Sequence, residues 1–297
     1  MLLSRRNMML AASASLIAGP AFGETPAVKM TLKSSLPKVG MGTWLTFDVS
    51  PQDPEWDIRR DVLKVFFEHG GGLIDSSPMY GRAEAAVGSL MEDMPSDQLI
   101  SATKIWTPFD DAGHKQLANS HDLWKQSVLD VVCVHNLLNW DAHLKTLRAA
   151  KEAGHVRHIG LTTSHGRRHD KLIELMKTEP MDVIQLSYNI LDRAAEERIL
   201  PLAADKDMTV IINRPFRTSG LFNIVARHDV PEFATEFGIK NWAEYFLKYI
   251  ISHPAVTCVI PATRNPDHMG ENMAATNGAM PDTKMRQRMA AHVSQLY

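Results

Sequence analysis

Short apolar runs rich in valine and isoleucine alternate along the chain with longer stretches in which apolar residues recur every three or four positions. The short runs predict eight β-strands, at residues 39–43, 73–76, 99–104, 131–135, 158–162, 183–186, 209–213 and 256–260. The longer stretches predict amphipathic helices, at residues 57–68, 83–92, 140–153, 168–177, 194–204, 242–252 and 266–275. This alternation is typical of a parallel sheet whose strands are joined by crossover helices.

Two parallel architectures compete for this pattern. An open doubly wound sheet usually carries a glycine-rich fingerprint whose third glycine opens a helix. At the first predicted strand the sequence is Gly40-Met41-Gly42-Thr43-Trp44, which lacks that third glycine and opens no helix. Eight strand–helix units instead match a closed barrel of about 250 residues, and the continuously apolar strands fit a sheet covered on both faces. We therefore predict a single (β/α)8 TIM barrel over residues 24–297, with residues 24–37 closing its bottom.

Composition narrows the functional classes. The chain has 297 residues, 44% apolar and 22% charged, with a formal charge of −2, so neither disorder nor binding to nucleic acid is indicated. No apolar run approaches the roughly 20 residues of a membrane-spanning helix. Cys133 and Cys258 lie in predicted strands and are expected to be small core residues. The 13 histidines show no ligand-like spacing with cysteines or carboxylates, so we expect no metal site.

The first 23 residues have the order of an export signal. Arg5 and Arg6 precede a weakly apolar stretch rich in alanine and serine, and Ala21-Phe22-Gly23 supplies small residues for cleavage. The paired arginines favour the twin-arginine (Tat) route, with the Tat export machinery as a partner. An ordinary secretory signal with two chance arginines is the alternative. We predict a cleaved signal peptide over residues 1–23 and a periplasmic mature protein.

Chemically useful side chains end three consecutive predicted strands. Asp75 ends the second, Lys104 the third and His135 the fourth, and Tyr80 lies in the loop after the second. Each residue alone has an ordinary structural explanation, such as a turn cap or a satisfied histidine. In a parallel barrel, however, the carboxyl ends of the strands meet at one rim, where the active sites of such barrels lie. We therefore expect these four side chains to form one site.

The four residues together predict a device that delivers a proton. The usual phenol pKa of about 10 is too high for efficient acid–base work near neutrality, and a neighbouring cation lowers it. We expect Lys104 to lower the pKa of Tyr80, Asp75 to hold Lys104, and His135 to orient a carbonyl oxygen. Protonation of a developing alkoxide requires a hydride donor, which is the chemistry of a nicotinamide cofactor.

Several ordered segments resemble the aldo-keto reductase family, from about residue 40 to residue 275. They are Ile74-Asp75-Ser76-Ser77-Pro78-Met79-Tyr80-Gly81, Ala102-Thr103-Lys104, Val134-His135-Asn136, Arg157-His158-Ile159-Gly160-Leu161, Val183-Ile184-Gln185-Leu186-Ser187-Tyr188-Asn189, Leu191-Asp192-Arg193, Pro215-Phe216 with Gly220-Leu221-Phe222, and Val259-Ile260-Pro261 with Pro266, Glu271 and Asn272. The resemblance implies a (β/α)8 barrel and an NADP(H)-linked carbonyl reductase whose catalytic residues are Asp75, Tyr80, Lys104 and His135.

The resemblance also implies a cofactor lying extended across the rim. It places cofactor contacts at Gly42, Thr43, Thr162, Thr163, Gln185, Asn213, Pro215, Phe216, Arg217, Leu221, Thr263, Arg264, His268, Glu271 and Asn272. Gln185 is expected at the nicotinamide carboxamide, the segment from Pro215 to Leu221 at the pyrophosphate, and Glu271 with Asn272 at the adenine. Trp44, Met79 and Trp106 lie on rim loops and are expected either to form an apolar substrate wall or to pack over the barrel mouth.

This chain departs from the family pattern at the cofactor contacts. Thr162-Thr163 replaces a Ser-Asn pair, and Asn213 stands where an aromatic residue usually stacks on the nicotinamide. Ala262 and His268 replace two cations typical of NADP-specific members, although Arg264 can grip a phosphate. These differences leave a mild expected preference for NADP(H) over NAD(H).

Two functions follow from these observations. The first is an exported NAD(P)H-dependent oxidoreductase that reduces a small aldehyde or ketone. The alternative is a nucleotide-sensing or partner-binding subunit on the same barrel, for which the altered contacts at Thr163 and Asn213 argue. The intact set of four rim residues favours the enzyme.

Overall fold

A closed ring of eight parallel strands forms the centre of the protein, as seen in a computed structural model that describes residues 31–297. The strands are β1 Met41–Gly42, β2 Leu73–Asp75, β3 Ile100–Ile105, β4 Leu129–Val134, β5 Val156–Thr162, β6 Val183–Ser187, β7 Thr209–Asn213 and β8 Cys258–Val259. They neighbour one another in chain order, β1 to β8. The predicted (β/α)8 barrel is confirmed. The predicted signal peptide, residues 1–23, lies outside the described residues.

Two bridges between the first and last strands complete the ring. Val39 pairs with Val259 and Gly42 pairs with Ala262, both in parallel register. The Gly40 and Gly42 amides donate to the carbonyls of Val259 and Pro261, at 2.8 and 2.9 Å. The two strands meet through isolated bridges rather than a continuous ladder, and β1 and β8 are shorter than the sequence pattern predicts.

Helices cover the outside of the barrel. They are α1 Leu32–Ser35, α2 Trp56–Glu68, α3 Ala83–Leu90, α4 Gly113–Trp124, α5 Trp140–Glu152, α6 His169–Thr178, α7 Ala195–Asp205, α8 Gly220–Val225, α9 Trp242–Ile251, α10 Pro266–Ala274 and α11 Thr283–Leu296. Short 3-10 helices occur at Met91–Asp93, Ser96–Gln98, Asp110–Ala112, His135–Leu137 and Glu232–Phe237. The seven predicted helices are present within a few residues at each end, whereas α1, α4, α8 and α11 were not predicted.

The protein has two apolar cores, one inside the ring of strands and one between the strands and the helices. Inward-facing residues such as Ala102, Val131 and Ile211 form a small inner core, and a larger core fills the space between the strands and the helices. Leu32 and Leu36 join the inner core, so the described part of the segment before β1 does close the barrel interior. This packing holds the strands in place, and it leaves their carboxyl ends free to carry polar residues.

The two cysteines are free thiols buried in this inner core. Burial raises the pKa of the Cys133 thiol to about 12, so it remains protonated and unreactive at neutral pH. The prediction of two small core residues is confirmed. Within residues 31–297, no helix has both the length and the apolar character needed to cross a bilayer.

Candidate active site

A buried ion pair joins the ends of β2 and β3. Lys104 Nζ donates to Asp75 Oδ2 at 2.7 Å and to the Ser76 carbonyl at 2.6 Å. The Lys104 and Asp75 side chains are only 1% and 5% exposed. Burial by itself lowers the pKa of Lys104, but Asp75 and then Tyr80 outweigh it, and this pKa ends above its ordinary value. The lysine is therefore a fixed cation at this rim.

Tyr80 packs against this cation. Lys104 Nζ lies 5.4 Å from the centroid of the Tyr80 ring, and the ring meets His135 edge-on, with centroids 5.9 Å apart at 85°. The structure thus brings the four predicted residues together. The expectation of a lowered Tyr80 pKa is wrong in its net direction. Burial raises this pKa more than Lys104 lowers it, and Asp75 raises it further. The phenol therefore keeps its proton at neutral pH.

His135 is held as a neutral ring. Its Nδ1 lies 3.0 Å from Ser77 Oγ, within hydrogen-bond distance, and both residues are buried. Burial, and then the charge on Lys104, lower the pKa of His135 to about 3. At neutral pH the ring therefore has one protonated and one unprotonated nitrogen. The hydrogen bond at Nδ1 therefore decides whether Nε2 is a donor or an acceptor.

The four-residue group lies beside a cleft of about 290 Å³ at the carboxyl rim. The predicted site residues that line the cleft are Gly42, Thr43, Trp44, Asp75, Met79, Tyr80, His135, Gln185, Asn213, Pro215 and Phe216. Trp44 and Met79 are each 39% exposed and give the entrance an apolar side. This arrangement combines an apolar mouth with a few converging polar groups, which is typical of a small-molecule site.

A hydrogen-bonded polar network forms the cleft floor at the ends of β5, β6 and β7. Gln185 Nε2 donates to Asp75 Oδ1 at 2.7 Å, which links the network to the ion pair. Asn213 Nδ2 donates to the Thr163 carbonyl at 3.0 Å and to Gln185 Oε1 at 3.4 Å. Ser187 Oγ donates to Asn213 Oδ1 at 2.7 Å. Asn213 thus replaces an aromatic ring with an amide whose groups are already paired.

An adjoining cavity of about 510 Å³ continues the cleft along the rim toward α10. It shares walls with the cleft, among them Thr46, Phe216 and Ala262. The predicted residues that line it, besides Phe216, are Thr263, Arg264, His268, Glu271 and Asn272. The cleft and the cavity together form one trough along the rim, with Arg264 and His268 exposed at the end beside α10.

Some predicted site residues lie outside the trough lining. Thr162 and Thr163 are buried beneath the cleft floor, and Leu221 is a core residue with no exposure. Arg217 lines a separate recess on the other side of the loop after β7. Trp106 is 41% exposed and its backbone pairs with the Gln116 side chain, so it lies on the rim beside the cleft.

Several lining residues were not singled out from the sequence. They are Leu45, Thr46, Asn136, Ser164, His165, Arg214, Thr218, Ser219 and Ile260. All nine lie within six residues after the end of a strand, and that position is the signal that could have identified them. Ser77 was also missed as a contact of His135, although it lies between two predicted catalytic residues in sequence.

No group of three or more potential metal ligands occurs within the part of the chain that the structure describes. The site therefore has the parts of an acid–base centre: a fixed cation, a protonated phenol, a neutral imidazole and a polar floor.

The fold and this cleft define the class: a (β/α)8-barrel protein with acid–base groups at the carboxyl ends of its strands. The model of the Aldo/keto reductase family matches residues 38–292. The chain therefore belongs to the aldo/keto reductase family of oxidoreductases.

Relatives and solved structures agree with this assignment. The chain is 26% identical over 251 residues to an NADH-specific methylglyoxal reductase of Escherichia coli (strain K12), covering 74% of this chain and 76% of that protein. It is 25% identical over 191 residues to the aldo-keto reductase YhdN of Bacillus subtilis (strain 168), covering 59% and 57%. An aldo/keto reductase from Klebsiella pneumoniae, solved in complex with NADP and acetate, has a TM-score of 0.72 at 20% identity, over 87% of this chain and 92% of that one.

Proposed function

We propose that the protein is an NAD(P)H-dependent reductase of small aldehydes or ketones in which Tyr80 acts as general acid. The observation that carries this proposal is the position of Lys104 Nζ, 2.7 Å from Asp75 Oδ2 and 5.4 Å from the centroid of the Tyr80 ring. Relatives named for methylglyoxal reduction and pyridoxal oxidation support carbonyl–alcohol chemistry.

The proton path follows from the charges around the phenol. Because its pKa is raised, Tyr80 keeps its proton until charge develops on the carbonyl oxygen. An alkoxide is more basic than a phenolate, so transfer is favourable once hydride arrives at the carbonyl carbon. Lys104 then stabilises the phenolate that remains, and Asp75 keeps the lysine charged and in place. In the oxidative direction Tyr80 acts as the base.

Ser77 and His135 position the carbonyl oxygen. When the Ser77 hydroxyl donates to His135 Nδ1, the ring proton is placed on Nε2. The Nε2–H group can then donate to the substrate oxygen beside Tyr80. Ser77 is a positioning residue in this scheme, because it acts through His135.

The trough fits a nicotinamide dinucleotide, which supplies the hydride when bound. The hydroxyls of Thr162 and Thr163, which lie next to Gln185 in the sheet, are buried and have no hydrogen-bond partner within residues 31–297. Gly42, which lines the trough, lets β1 pack closely against the chain after β8, since an added Cβ there would lie 3.0 Å from the Ile260 carbonyl. We assign the nicotinamide end to Gln185 and Asn213 and the adenosine end to the cavity beside α10.

We further propose a preference for NADP(H), with Arg264 and His268 supplying charge to a 2′-phosphate. Ala262 provides no cation at the trough wall, so Arg264 is the main determinant. The Escherichia coli relative is named NADH-specific, whereas the Klebsiella pneumoniae protein was solved with NADP. Arg264→Ala should raise KM for NADPH about tenfold and leave KM for NADH nearly unchanged. Equal changes for the two cofactors would contradict this assignment.

A panel of aldehydes and ketones with NADPH and NADH tests the function. Wild-type protein should oxidise the cofactor, and Tyr80→Phe should lower kcat by roughly 10²- to 10⁴-fold while cofactor affinity stays near wild type. Tyr297→Phe is the matched control, because Tyr297 is exposed and does not line the cleft or the adjoining cavity. Cofactor binding without hydride transfer to any carbonyl would favour the nucleotide-sensing alternative.

We also propose that the protein is exported through the Tat route by residues 1–23. A dehydrogenase outside the cytoplasm needs a retained cofactor, so we expect slow cofactor release and regeneration in place by two substrates. Replacing Arg5 and Arg6 by lysine should keep the protein in the cytoplasmic fraction. Periplasmic recovery of that variant would contradict the Tat route, and rapid loss of nicotinamide on dialysis would contradict retention.

A further inference from the structure

A recess of about 440 Å³ lies beside the cleft, between the loops that follow β5, β6 and β7. His165 and Arg214 line both the recess and the cleft, so the two spaces adjoin. This recess is distinct from the trough, which runs the other way, toward α10.

The recess is positively charged in a protein whose formal charge is −2. Arg193, Arg214 and Arg217 line it, and Asp192 is the one carboxylate among its lining residues. Asp192 Oδ2 lies 3.6 Å from Arg217 Nε. No carboxylate among residues 31–297 forms an ion pair with Arg193 or Arg214. Arg193 is exposed, whereas Arg214 is partly buried, and a partly buried guanidinium without a partner is costly unless an anion or water satisfies it.

Buried hydrogen bonds hold the walls of the recess in place. Asn189 is fully buried, and its Nδ2 donates to Asp192 Oδ2 at 2.8 Å and to the Arg214 carbonyl at 3.3 Å. This amide therefore joins the loop after β6 to the loop after β7. On the third wall, the His165 amide donates to Ser187 Oγ at 3.0 Å. The arginines are thus mounted on a preorganised frame.

Backbone strain points to the same place. Arg214 and His165 have φ values of 51° and 61°, in the left-handed region that is unfavourable for a residue with a side chain. Strain of this kind persists at sites that bind or react. Burial, and then the charges of Arg214 and Arg167, lower the pKa of His165, which is consistent with a positive field across the recess.

We propose that this recess binds an oxyanion, a carboxylate or a phosphate, held chiefly by Arg214 and Arg193. A guanidinium offers a planar pair of donors that matches both groups. The anion comes either from the carbonyl substrate, reaching across from the cleft, or from solution as a separate ligand. The first source rests on the proposed function, because it makes the enzyme selective for carbonyl compounds that carry an anionic group.

The experiment begins with binding, which needs no catalysis. Inorganic phosphate is titrated by calorimetry into protein with NADP⁺ bound and, separately, into protein without it. Arg214→Gln should weaken its binding about tenfold, and Arg193→Gln should weaken it by a smaller factor. Arg198→Gln is the matched control, because Arg198 is exposed on α7, pairs with Asp170 at 2.8 Å and does not line the recess.

Kinetics then distinguish the two sources. If the substrate supplies the anion, kcat/KM for 4-oxobutanoate exceeds that for its neutral methyl ester at least tenfold. Arg193→Gln then removes part of this excess and leaves the rate with the ester unchanged. Phosphate binding with equal rates for the two carbonyls assigns the recess to a free anion, and the oxyanion site stands.

Three results would overturn the proposal. The first is that phosphate does not bind, and the second is that its binding is unchanged in both Arg214→Gln and Arg193→Gln. The third is that phosphate binds only when NADP⁺ is absent, which would assign the recess to the cofactor's own phosphates. If no carbonyl compound is reduced at all, the proposed function fails, and the phosphate titration still decides the fate of the recess.

Discussion

The rim of the barrel is built differently on its two sides. At the ends of β2, β3 and β4, one buried ion pair between Lys104 and Asp75 supports the chemistry. At the ends of β5, β6 and β7, amides and hydroxyls pair with one another around Asn213, and arginines follow. Under the proposed function, the side with the buried ion pair transfers the proton through fixed groups, and the side with the polar network holds the cofactor.

The largest effect is expected at the ion pair. Lys104→Met leaves the Asp75 carboxylate buried with only Gln185 as a polar side-chain partner, so the free energy of unfolding should fall by about 3–5 kcal/mol. Urea denaturation followed by circular dichroism measures this. The double variant Lys104→Met with Asp75→Asn should recover part of the stability but none of the turnover. A single variant as stable as wild type would show that the pair does not support this side of the rim.

The next effect concerns His135 and acid. Its folded-state pKa, about 3, lies below the unfolded value of about 6.5, so the unfolded chain binds this proton first. The associated stability is fully present above pH 6.5 and is lost as pH falls toward 3, at about 1.4 kcal/mol per unit. His135→Asn should therefore flatten the decline in unfolding free energy between pH 7 and pH 4.5 by roughly 2–3 kcal/mol.

His253 provides the comparison for that measurement. Burial, and then Arg286, lower the pKa of His253 to about 4, so His253→Asn should flatten the decline to pH 4.5 by nearly as much as His135→Asn does, and the two variants should differ only below about pH 4. Identical pH profiles for wild type and His135→Asn would contradict a buried, neutral His135.

On the other side of the rim we expect a moderate loss of binding. Asn213→Ala removes the donors to Thr163 and Gln185 and the acceptor for Ser187, so cofactor Kd should rise about tenfold. The value of kcat at saturating cofactor should change little, because the ion pair is untouched. A fluorescence titration gives Kd. A large fall in kcat with unchanged Kd would mean that the two sides do not divide binding from chemistry as described.

The smallest effect is expected at Ser77. Ser77→Ala removes the hydrogen bond to His135 and a longer one from the Met79 amide, at 3.4 Å, so kcat/KM should fall about three- to tenfold. Nitrogen-15 chemical shifts of the His135 ring report which nitrogen is protonated. They should show the Nε2–H form in wild type and a mixture of both forms in the variant, whereas Ser77→Thr should restore the single form. A ring unchanged in Ser77→Ala would remove the positioning role.

The sequence predicted the first side of the rim better than the second, for a physical reason. Asp75, Lys104 and His135 end or directly follow apolar strands, and the barrel brings such ends together regardless of loop detail. The net effect of burial on the Tyr80 pKa depends on how deeply the ring packs, and no residue spacing reveals that. Arg217 was predicted to contact the cofactor from the loop after β7. It lines the neighbouring recess instead, because this loop turns through left-handed residues.

The fold shows the same division. Helices with clear apolar stripes were predicted, but α4 was not, because its sequence is mostly polar and begins at Gly113. Tertiary packing stabilises α4 instead: Leu117 and Trp124 are buried, and the Trp124 indole donates to Glu84 at 3.0 Å. Similarly, α11 is polar in sequence and is fixed by the Asp282 cap and by Arg286, which pairs with Glu196 at 2.8 Å.

The most direct test of the account is a single-turnover measurement of hydride transfer in ordinary and heavy water. If the Tyr80 proton moves as hydride arrives, the wild-type rate constant should fall in heavy water. With deuterated cofactor in heavy water, the combined isotope effect should equal the product of the solvent effect and the cofactor effect. Tyr80→Phe should be slower by orders of magnitude and lose the solvent effect. Hydride transfer in Tyr80→Phe at the wild-type rate, with the solvent effect intact, would contradict the role given to Tyr80 and its lysine.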